Sequence, residues 1–238
     1  MIHSLTRTTP RQQKREVTFD RIIDAAMGVV SKGGLDALTM QGLAAELGFA
    51  VGALYRYFPS KDGIVVAVQR RLIEAIREDL AAALKKADER VAKLDARRAA
   101  LLRLWVIVRV YEAMAKTRPT EFGLLSMTLG DPRQLVQDED AGLLVPAMAS
   151  LLQLVGGLFV AAAAAGALAE GDPARRTLVL WTAVQGALQL RKLERFQVGA
   201  LEATAVLDEA VSTLLLGWGA SADDLGATRR RAQQLAGN

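Results

Sequence analysis

Four side chains that can bind phosphate oxygens lie close together in the segment Gly48–Lys61, GFAVGALYRYFPSK. Tyr55 and Tyr57 are two of the three tyrosines in the chain, and they flank Arg56. Phenol hydroxyls, a guanidinium and an ammonium are donors that hold a nucleic-acid backbone. The residues before them are small enough to let a helix approach base edges: Val51, Gly52 and Ala53. The segment predicts a DNA-contacting surface, although tyrosines alone could also cover a small core.

Enzymatic chemistry has few candidates in this sequence. The chain has no cysteine, and its one histidine, His3, lies in a polar leader, which disfavours thiolate sites, serine–histidine triads and histidine-based zinc sites. Neither a P-loop nor a dinucleotide-binding glycine motif occurs. Glu112, Glu121 and Asp131 show no paired spacing for acid–base work. We therefore expect no enzyme activity, no metal and no cofactor.

Alanine and leucine dominate the composition and aromatic residues make up only 5%, which predicts an almost wholly α-helical chain. Capping residues divide its N-terminal part. Thr18 predicts the N-cap of a first helix that ends at Ser31–Gly34, and Thr39 predicts the N-cap of a second helix that Gly48 stops.

A third helix is predicted over Val51–Phe58, with Leu54 and Phe58 packed inward at i and i+4 and the tyrosines outward. Pro59 ends it, and Ser60 predicts the cap of the next helix. Two short helices joined by a glycine turn, the second with its small and polar side exposed, predict a helix-turn-helix.

Residues 1–17 read as a basic flexible arm. The formal net charge of the chain is only +4, but residues 1–15 contain no acid and several basic side chains: Arg7, Arg11, Lys14 and Arg15. Such an arm can lie along phosphates or in a minor groove. Because the leader has no apolar core segment, no secretory signal is predicted and a cytoplasmic location is expected.

Residues 18–66 resemble the DNA-binding domain of the TetR family of transcriptional regulators, through RIIDAAMGVVSKGGLDALTMQGLAAELGFAVGALYRYFPSKDGIV. The resemblance implies an operator-binding homodimer whose remaining helices bind an effector. It also implies that Tyr55 and Lys61 contact phosphates and that Thr39 touches the DNA backbone. The implied groove-facing residues are Gln41, Val51, Gly52, Ala53, Arg56 and Tyr57. Ala50, Ala53 and Gly63 depart from the family pattern by lacking a hydroxyl or carboxylate.

Residues 67–220 are predicted to form a larger helical domain for ligand binding and dimerisation, with 221–238 as a tail that adds at most a short helix. A long helix follows Ser60, a second spans Asp95–Lys116, and 131–140 reads as a surface connection. Two amphipathic helices at about 173–194 and 200–218 suit a four-helix dimer interface, although they could also only close the monomer core.

Residues 141–169 contain no charged side chain, which makes them a transmembrane candidate by length. Pro146, paired Gly156 and Gly157, and acidic flanks argue against insertion. We expect a buried central helix, kinked at the glycines. A membrane-associated protein or a hydrophobe carrier with an incidental helix-turn-helix remains the alternative.

Large residues stand among alanines and glycines in the second domain, and such residues can frame a cavity while amides orient a ligand. The candidate ligand-binding residues are Trp105, Tyr111, Met114, Phe122, Met127, Met148, Gln153, Phe159, Trp181 and Gln185. Most could equally be core. The expected effector, which the family resemblance implies, is a small apolar or aromatic molecule that shifts residues 60–85 and changes the spacing of the DNA-binding heads.

Overall fold

A computed structural model of the chain describes residues 9–91, 94–130, 142–196 and 202–236. Within these ranges the chain is helical and contains no strand, which confirms the predicted all-α class. It divides into two compact units. One comprises the residues up to Leu72 together with Gly123–Leu144, and the other comprises Ile73–Phe122 and the residues from Val145 onward.

The first unit contains α1 (Pro10–Ala37), α2 (Met40–Leu47), α3 (Val51–Tyr55) and the start of α4 (Lys61–Val91). Its core is aliphatic and is formed chiefly by Ile22, Ile23, Ala26, Leu43, Leu54 and Ile64. Gly34, with φ of 72°, interrupts α1 at the place where the sequence predicts an end. The predicted caps Thr39, Gly48 and Ser60 are confirmed.

The predicted start of the first helix at Thr18 is wrong. Thr9 is the N-cap, Pro10 occupies the first turn, and the Thr9 and Gln12 side chains form a reciprocal capping box. Residues 10–17, predicted as part of a flexible arm, are therefore helical, whereas residues 1–8 lie outside the described residues. The third helix is also shorter than predicted, because α3 ends at Tyr55.

The second unit contains the rest of α4, α5 (Ala96–Thr117), α7 (Val145–Ala164), α8 (Pro173–Gln189), α9 (Ala203–Gly217) and α10 (Ala222–Ala236). Between α5 and α7 the chain forms α6 (Pro119–Gly130), and a 3-10 helix, Leu190–Phe196, follows α8. Helix α5 packs against α10 and α7, and α8 packs against α7 and α9. Asp95 and Asp172 are the N-caps of α5 and α8, and their side chains accept from the Arg98 and Arg175 amides.

The expectation of a buried central helix at 141–169 is wrong. The stretch Gly142–Ala164, which includes α7, is long and apolar enough to span a membrane, with a mean hydropathy of 2.1, but only 22% of it is buried. The helix continues through Gly156 and Gly157. The connection predicted at 131–140 lies outside the described residues.

The C-terminal helix α10 is more extensive than the predicted tail. Its fifteen residues pack on α5, with Leu225, Thr228 and Ala232 buried. Arg98 of α5 donates to Asp224 at 2.6 Å, and Arg231 donates to the Arg90 carbonyl at 3.0 Å. Residues 222–236 are thus an integral part of the second unit.

A buried charge network joins α5 to α9. Arg109, Glu112 and Asp208 are all buried, and the Arg109 guanidinium donates to both carboxylates, at 2.7 Å to Glu112. Lys116 and Thr204 donate to the other Glu112 oxygen, each at 2.7 Å. Burial disfavours the charged carboxylate, but these hydrogen bonds outweigh it and lower the pKa of Glu112.

Substituting Glu112→Gln is expected to lower the free energy of unfolding by about 3 kcal/mol at pH 7, because it leaves Arg109 and Lys116 short of a buried counter-charge. A carboxyl whose pKa is lowered by folding stabilises the fold above its unfolded pKa and loses that contribution as pH falls through the folded value. The deficit should therefore be largest near neutral pH and shrink below about pH 4.

Urea denaturation at a series of pH values measures this effect. Glu209→Gln, an exposed substitution on α9, is the control and should stay within about 0.5 kcal/mol of the original chain. A Glu112→Gln deficit that is absent at pH 7, or that stays constant down to pH 3, would contradict a stabilising network.

Candidate nucleic-acid interface

The turn between α2 and α3 is fixed by backbone hydrogen bonds and one glycine. The Thr39 hydroxyl accepts from the Gly42 amide at 3.0 Å and starts α2. Gly48 ends α2 in the left-handed conformation, with φ of 68°, and the Phe49 amide then donates to the Ala44 carbonyl at 2.8 Å. A residue with a side chain is strained at such a φ, so glycine is required for this tight turn.

Helix α3 is held by Leu54 on its inner side and by Phe58, which lies three residues after its end. Leu54 has no exposed surface, Phe58 is buried, and the Phe58 ring stacks on Phe19 of α1 with centroids 4.7 Å apart. The N-cap residue Ala50 makes no side-chain hydrogen bond. Tertiary packing rather than capping therefore sets the direction of α3.

The outer side of α3 faces solvent. Val51, Gly52 and Arg56 are exposed and Tyr55 is 48% exposed, whereas Ala53 and Tyr57 are half-buried. The interpretation that the tyrosines only cover a core fails for Tyr55. An exposed phenol and guanidinium beside a glycine backbone give a surface that can enter a DNA groove.

Three more predicted DNA-contacting residues lie beside this helix in sequence. Thr39 and Gln41, at the start of α2, are exposed. Lys61 is half-buried, and its ammonium donates to the Leu35 carbonyl at 3.0 Å, which ties the start of α4 to the segment before α2. An ammonium has three donors, so this bond leaves Lys61 able to contact a phosphate as well.

The basic residues of the N-terminal segment lie on a helix. Arg11, Lys14 and Arg15 are exposed at positions i, i+3 and i+4 of α1, and this spacing places them on one side. A basic stripe on a helix can follow a phosphate backbone. Because the helix is already ordered, binding does not cost the conformational entropy that a flexible arm would lose.

Long-range ion pairs that the sequence analysis missed brace the first unit. Arg71 of α4 pairs with Asp20 and, at 3.5 Å, with Asp24 of α1. The Arg21 guanidinium lies 5.8 Å from the Phe49 ring centroid in the turn. The i, i+4 spacing of the two aspartates is the sequence signal that could have indicated a shared cation.

Four of the ten candidate ligand-binding residues contact one another in the second unit. The Tyr111 hydroxyl donates to Gln185 Oε1 at 2.6 Å and accepts from the Trp181 indole N–H at 3.4 Å, while the Tyr111 and Phe122 rings are 5.6 Å apart. Burial raises the pKa of Tyr111 to about 12, and the hydrogen bond from Trp181 opposes this only in part. We call these residues the Tyr111 cluster.

The other candidates are dispersed. Trp105 and Met114 are buried on α5, and Phe159 meets the Trp218 ring edge-on at 5.4 Å. Met148 is half-buried and Gln153 is exposed on α7. The Met127 side chain lies outside the described residues. Sequence reasoning also missed the buried Arg109, Glu112 and Asp208, although charges within the apolar run of α5 are a visible signal.

Comparison with known proteins finds relatives chiefly for the N-terminal part of the chain. Residues 22–68 match the family model described as bacterial regulatory proteins, tetR family. The repressor KstR of Mycolicibacterium smegmatis is 46% identical over 56 residues, which are 24% of this chain and 28% of KstR. The regulator BetI of Rhizobium meliloti is 33% identical over 88 residues, 36% of this chain and 43% of BetI. The chain thus spans less than half the length of these curated relatives.

Solved structures share the fold over most of the chain. The complex of RolR with its ligand resorcinol superposes with a TM-score of 0.61 at 18% identity and covers 94% of this chain and 95% of RolR. SmeT, repressor of the Stenotrophomonas maltophilia efflux pump SmeDEF, has a TM-score of 0.58 at 18% identity and covers 86% and 91% of the two chains. At identities below 25%, these structures show a shared fold.

A pair of glycine substitutions tests the geometry of the turn. Gly48→Ala should lower the free energy of unfolding by about 1 kcal/mol, because alanine is strained in the left-handed region. Gly52→Ala is the matched control: a Cβ at this helical position meets no heavy atom within 4 Å, and the change should raise stability by up to about 1 kcal/mol. Urea denaturation measures both, and equal effects would contradict the assigned turn.

Proposed function

We propose that this chain is a regulator of the TetR family, whose DNA-binding model residues 22–68 match, and that it is a cytoplasmic, homodimeric repressor that a small molecule releases from its operator. The observation that carries the proposal is the outer side of α3. Its polar residues are exposed while its inner side is buried, as a reading helix in a major groove requires.

Helix α3 is proposed to read the operator. The exposed Gly52 lets the backbone approach base edges, Val51 and Ala53 contact thymine methyl groups, and Arg56 donates to guanine O6 and N7. Tyr57 lies at the edge of the same groove. Gln41 faces the same groove, and backbone contacts from Tyr55, Lys61 and Thr39 fix the register of the helix.

The basic stripe of α1 is proposed to add affinity without sequence preference. Arg11, Lys14 and Arg15 present three cations that can each replace a condensed counterion on the phosphate backbone. This contribution compensates for the hydroxyls that Ala50 and Ala53 lack. Because it is electrostatic, it weakens as salt rises.

The Tyr111 cluster is proposed to bind the effector. Its aromatic rings offer an apolar surface, and the hydrogen-bond chain through the Tyr111 hydroxyl offers an orienting polar group. This arrangement suits a small apolar or aromatic molecule. RolR is bound to resorcinol in its solved complex, so resorcinol is a first compound to test here. Release requires that the effector prefers the low-affinity arrangement by about 1–3 kcal/mol.

Helix α8 is proposed to form the homodimer interface. It exposes Leu178 and Val179. The sequence predicts α9 as its partner helix, but α9 exposes only Leu216 among its large apolar residues. Helix α7 packs on α8 and exposes a row of uncharged residues at heptad-like spacing: Val145, Ala149, Gln153, Gly157, Val160 and Ala164. We therefore favour α7 with α8 as the four-helix interface, which also accounts for the exposure of an apolar helix.

Substitutions in α3 and α1 should separate sequence reading from general affinity. Arg56→Ala should weaken binding to the operator about tenfold to a hundredfold while changing binding to random duplex less, because a bidentate base contact is lost. Lys14→Ala should weaken binding to both duplexes equally. It should also reduce by about one the slope of the logarithm of the binding constant against the logarithm of the salt concentration. Fluorescence anisotropy measures both on operator fragments selected from genomic DNA by the purified protein.

Arg230→Ala, an exposed change on α10, is the matched control and should leave binding unchanged. If Arg56→Ala binds specific and random duplexes with unaltered affinity, Arg56 does not read bases. If the protein shows no binding to any duplex that falls steeply with salt, the alternative of a hydrophobe carrier or a membrane-associated protein fits instead.

Charge insertion should identify the dimer helices. Leu178→Glu and Val160→Glu should each raise the dimer dissociation constant at least about a hundredfold, because they bury an unpaired carboxylate between subunits. Leu216→Glu should leave the dimer dissociation constant unchanged. It would raise this constant only if α9, rather than α7, completed the interface. Sedimentation equilibrium measures the constants, and a dimer untouched by Leu178→Glu would contradict the interface.

A further inference from the structure

Arg21 is a cation of the first unit to which the proposed DNA contacts give no role. It lies exposed on α1, and its guanidinium carbon is 5.8 Å from the centroid of the Phe49 ring. Among the described residues no carboxylate pairs with it, whereas Asp20 and Asp24 on the same helix both pair with Arg71. The charge of Arg21 is therefore available to an anion from outside the chain.

The charges of α1 are separated onto two flanks of the helix. At about 100° per residue, one flank carries acids at i, i+4 and i+8 spacing: Glu16, Asp20 and Asp24. The other flank carries Arg11, Lys14 and Arg21, with Arg21 two turns beyond Lys14. Phosphates are repelled by the acidic flank and attracted by the basic one. The flank that includes Arg21 is therefore the one that can approach DNA.

The Phe49 ring marks where this basic flank meets the helix-turn-helix. Phe49 lies in the turn between α2 and α3, directly before Ala50, the N-cap residue of α3. The first residues of a reading helix contact base edges, so the residue just before them lies at the rim of the groove, where phosphates run. A guanidinium that stacks on an aromatic ring through its face can still donate in its own plane, so Arg21 over Phe49 can bind such a phosphate.

The contact with Phe49 also restricts where the guanidinium can lie. A free arginine side chain loses conformational freedom when it binds a phosphate, and this loss reduces the affinity that its charge adds. A guanidinium that already lies over a ring has less freedom left to lose. The turn itself, Gly48 to Ala50, has no side-chain hydrogen-bond donor. Arg21 therefore supplies a donor at a point where the turn has none.

We infer that Arg21 is a further DNA-contacting residue, which binds a phosphate at the rim of the groove that α3 enters, and that Phe49 positions it there. This inference rests on the proposed DNA-binding function and adds a residue and its positioning partner to it. Because the contact is with the backbone, it adds affinity for operator and random duplex alike and leaves the sequence preference unchanged. It extends the basic stripe of α1 as far as the turn.

Fluorescence anisotropy with the full-length protein, on operator and random duplexes over a series of salt concentrations, tests Arg21. Arg21→Gln should weaken binding to both duplexes about threefold to tenfold. It should also reduce by about one the slope of the logarithm of the binding constant against the logarithm of the salt concentration. Arg21→Lys keeps the charge and should keep this slope. Arg230→Gln removes an exposed charge from α10 and, as the control for net charge, should leave affinity and slope unchanged.

A double-mutant cycle tests the positioning by Phe49. Phe49→Leu keeps an apolar side chain but removes the ring, and it should weaken binding to both duplexes about twofold with the salt slope unchanged, because Arg21 keeps its charge. In this background Arg21→Gln should cost less affinity than in the original chain, and equal costs would overturn the positioning. Urea denaturation establishes that each variant is folded in the assay. If Phe49→Leu fails to fold, the salt slopes of Arg21→Gln and Arg21→Lys still decide the phosphate contact.

The original chain, measured alongside, separates this inference from the proposed function. If the original chain binds duplex and Arg21→Gln leaves its affinity and salt slope unchanged, Arg21 contacts no phosphate and only braces the turn. A loss of affinity confined to the operator would also overturn a backbone contact. If the original chain binds no duplex, the proposed regulator fails, and the role of Arg21 fails with it.

Discussion

The short helix α3 depends on burial of its inner side. Five residues are too few for a helix to be stable in water, because nucleation costs more than so few hydrogen bonds return. Leu54 and Phe58 supply the missing stability, at about 1.5–3 kcal/mol for each fully buried side chain. Because these residues face inward, Tyr55 and Arg56 are held outward. The exposure of polar groups on α3 is thus a consequence of how its apolar residues pack.

Local chemistry accounts for what the sequence predicted well. The caps at Thr39 and Ser60 and the left-handed turn at Gly48 each depend on a residue and its nearest neighbours in the chain. The start of the first helix, by contrast, was predicted wrongly although it too has a local cap. Its true start has no apolar periodicity, so only the pairing of Thr9 with Gln12 could have indicated it, and that pattern is short enough to pass as a polar leader.

Contacts between distant parts of the chain account for what the sequence did not predict. Helix α10 is rich in charge and has few buried residues, so the segment looks polar on average although Leu225, Thr228 and Ala232 recur at helical spacing, and it packs along α5. The candidate ligand residues were chosen by size, and size alone could not tell that Tyr111, Phe122, Trp181 and Gln185 would meet while Gln153 would face solvent. Those distinctions depend on which helices become neighbours.

Two helices of the second unit differ in where their charges lie: α5 carries buried charges, whereas α7 has an uncharged and largely exposed surface. Helix α5 carries buried charges, which are costly unless every partner stays in place, so its packing against α9 and α10 tolerates few alternatives. Helix α7 has an uncharged surface that packs without such demands and remains largely uncovered. Binding at the Tyr111 cluster, which joins α5 to α8, would then act between a rigid helix and the proposed interface. Movement is cheaper on the α8 side, because no buried charge must be unpaired there.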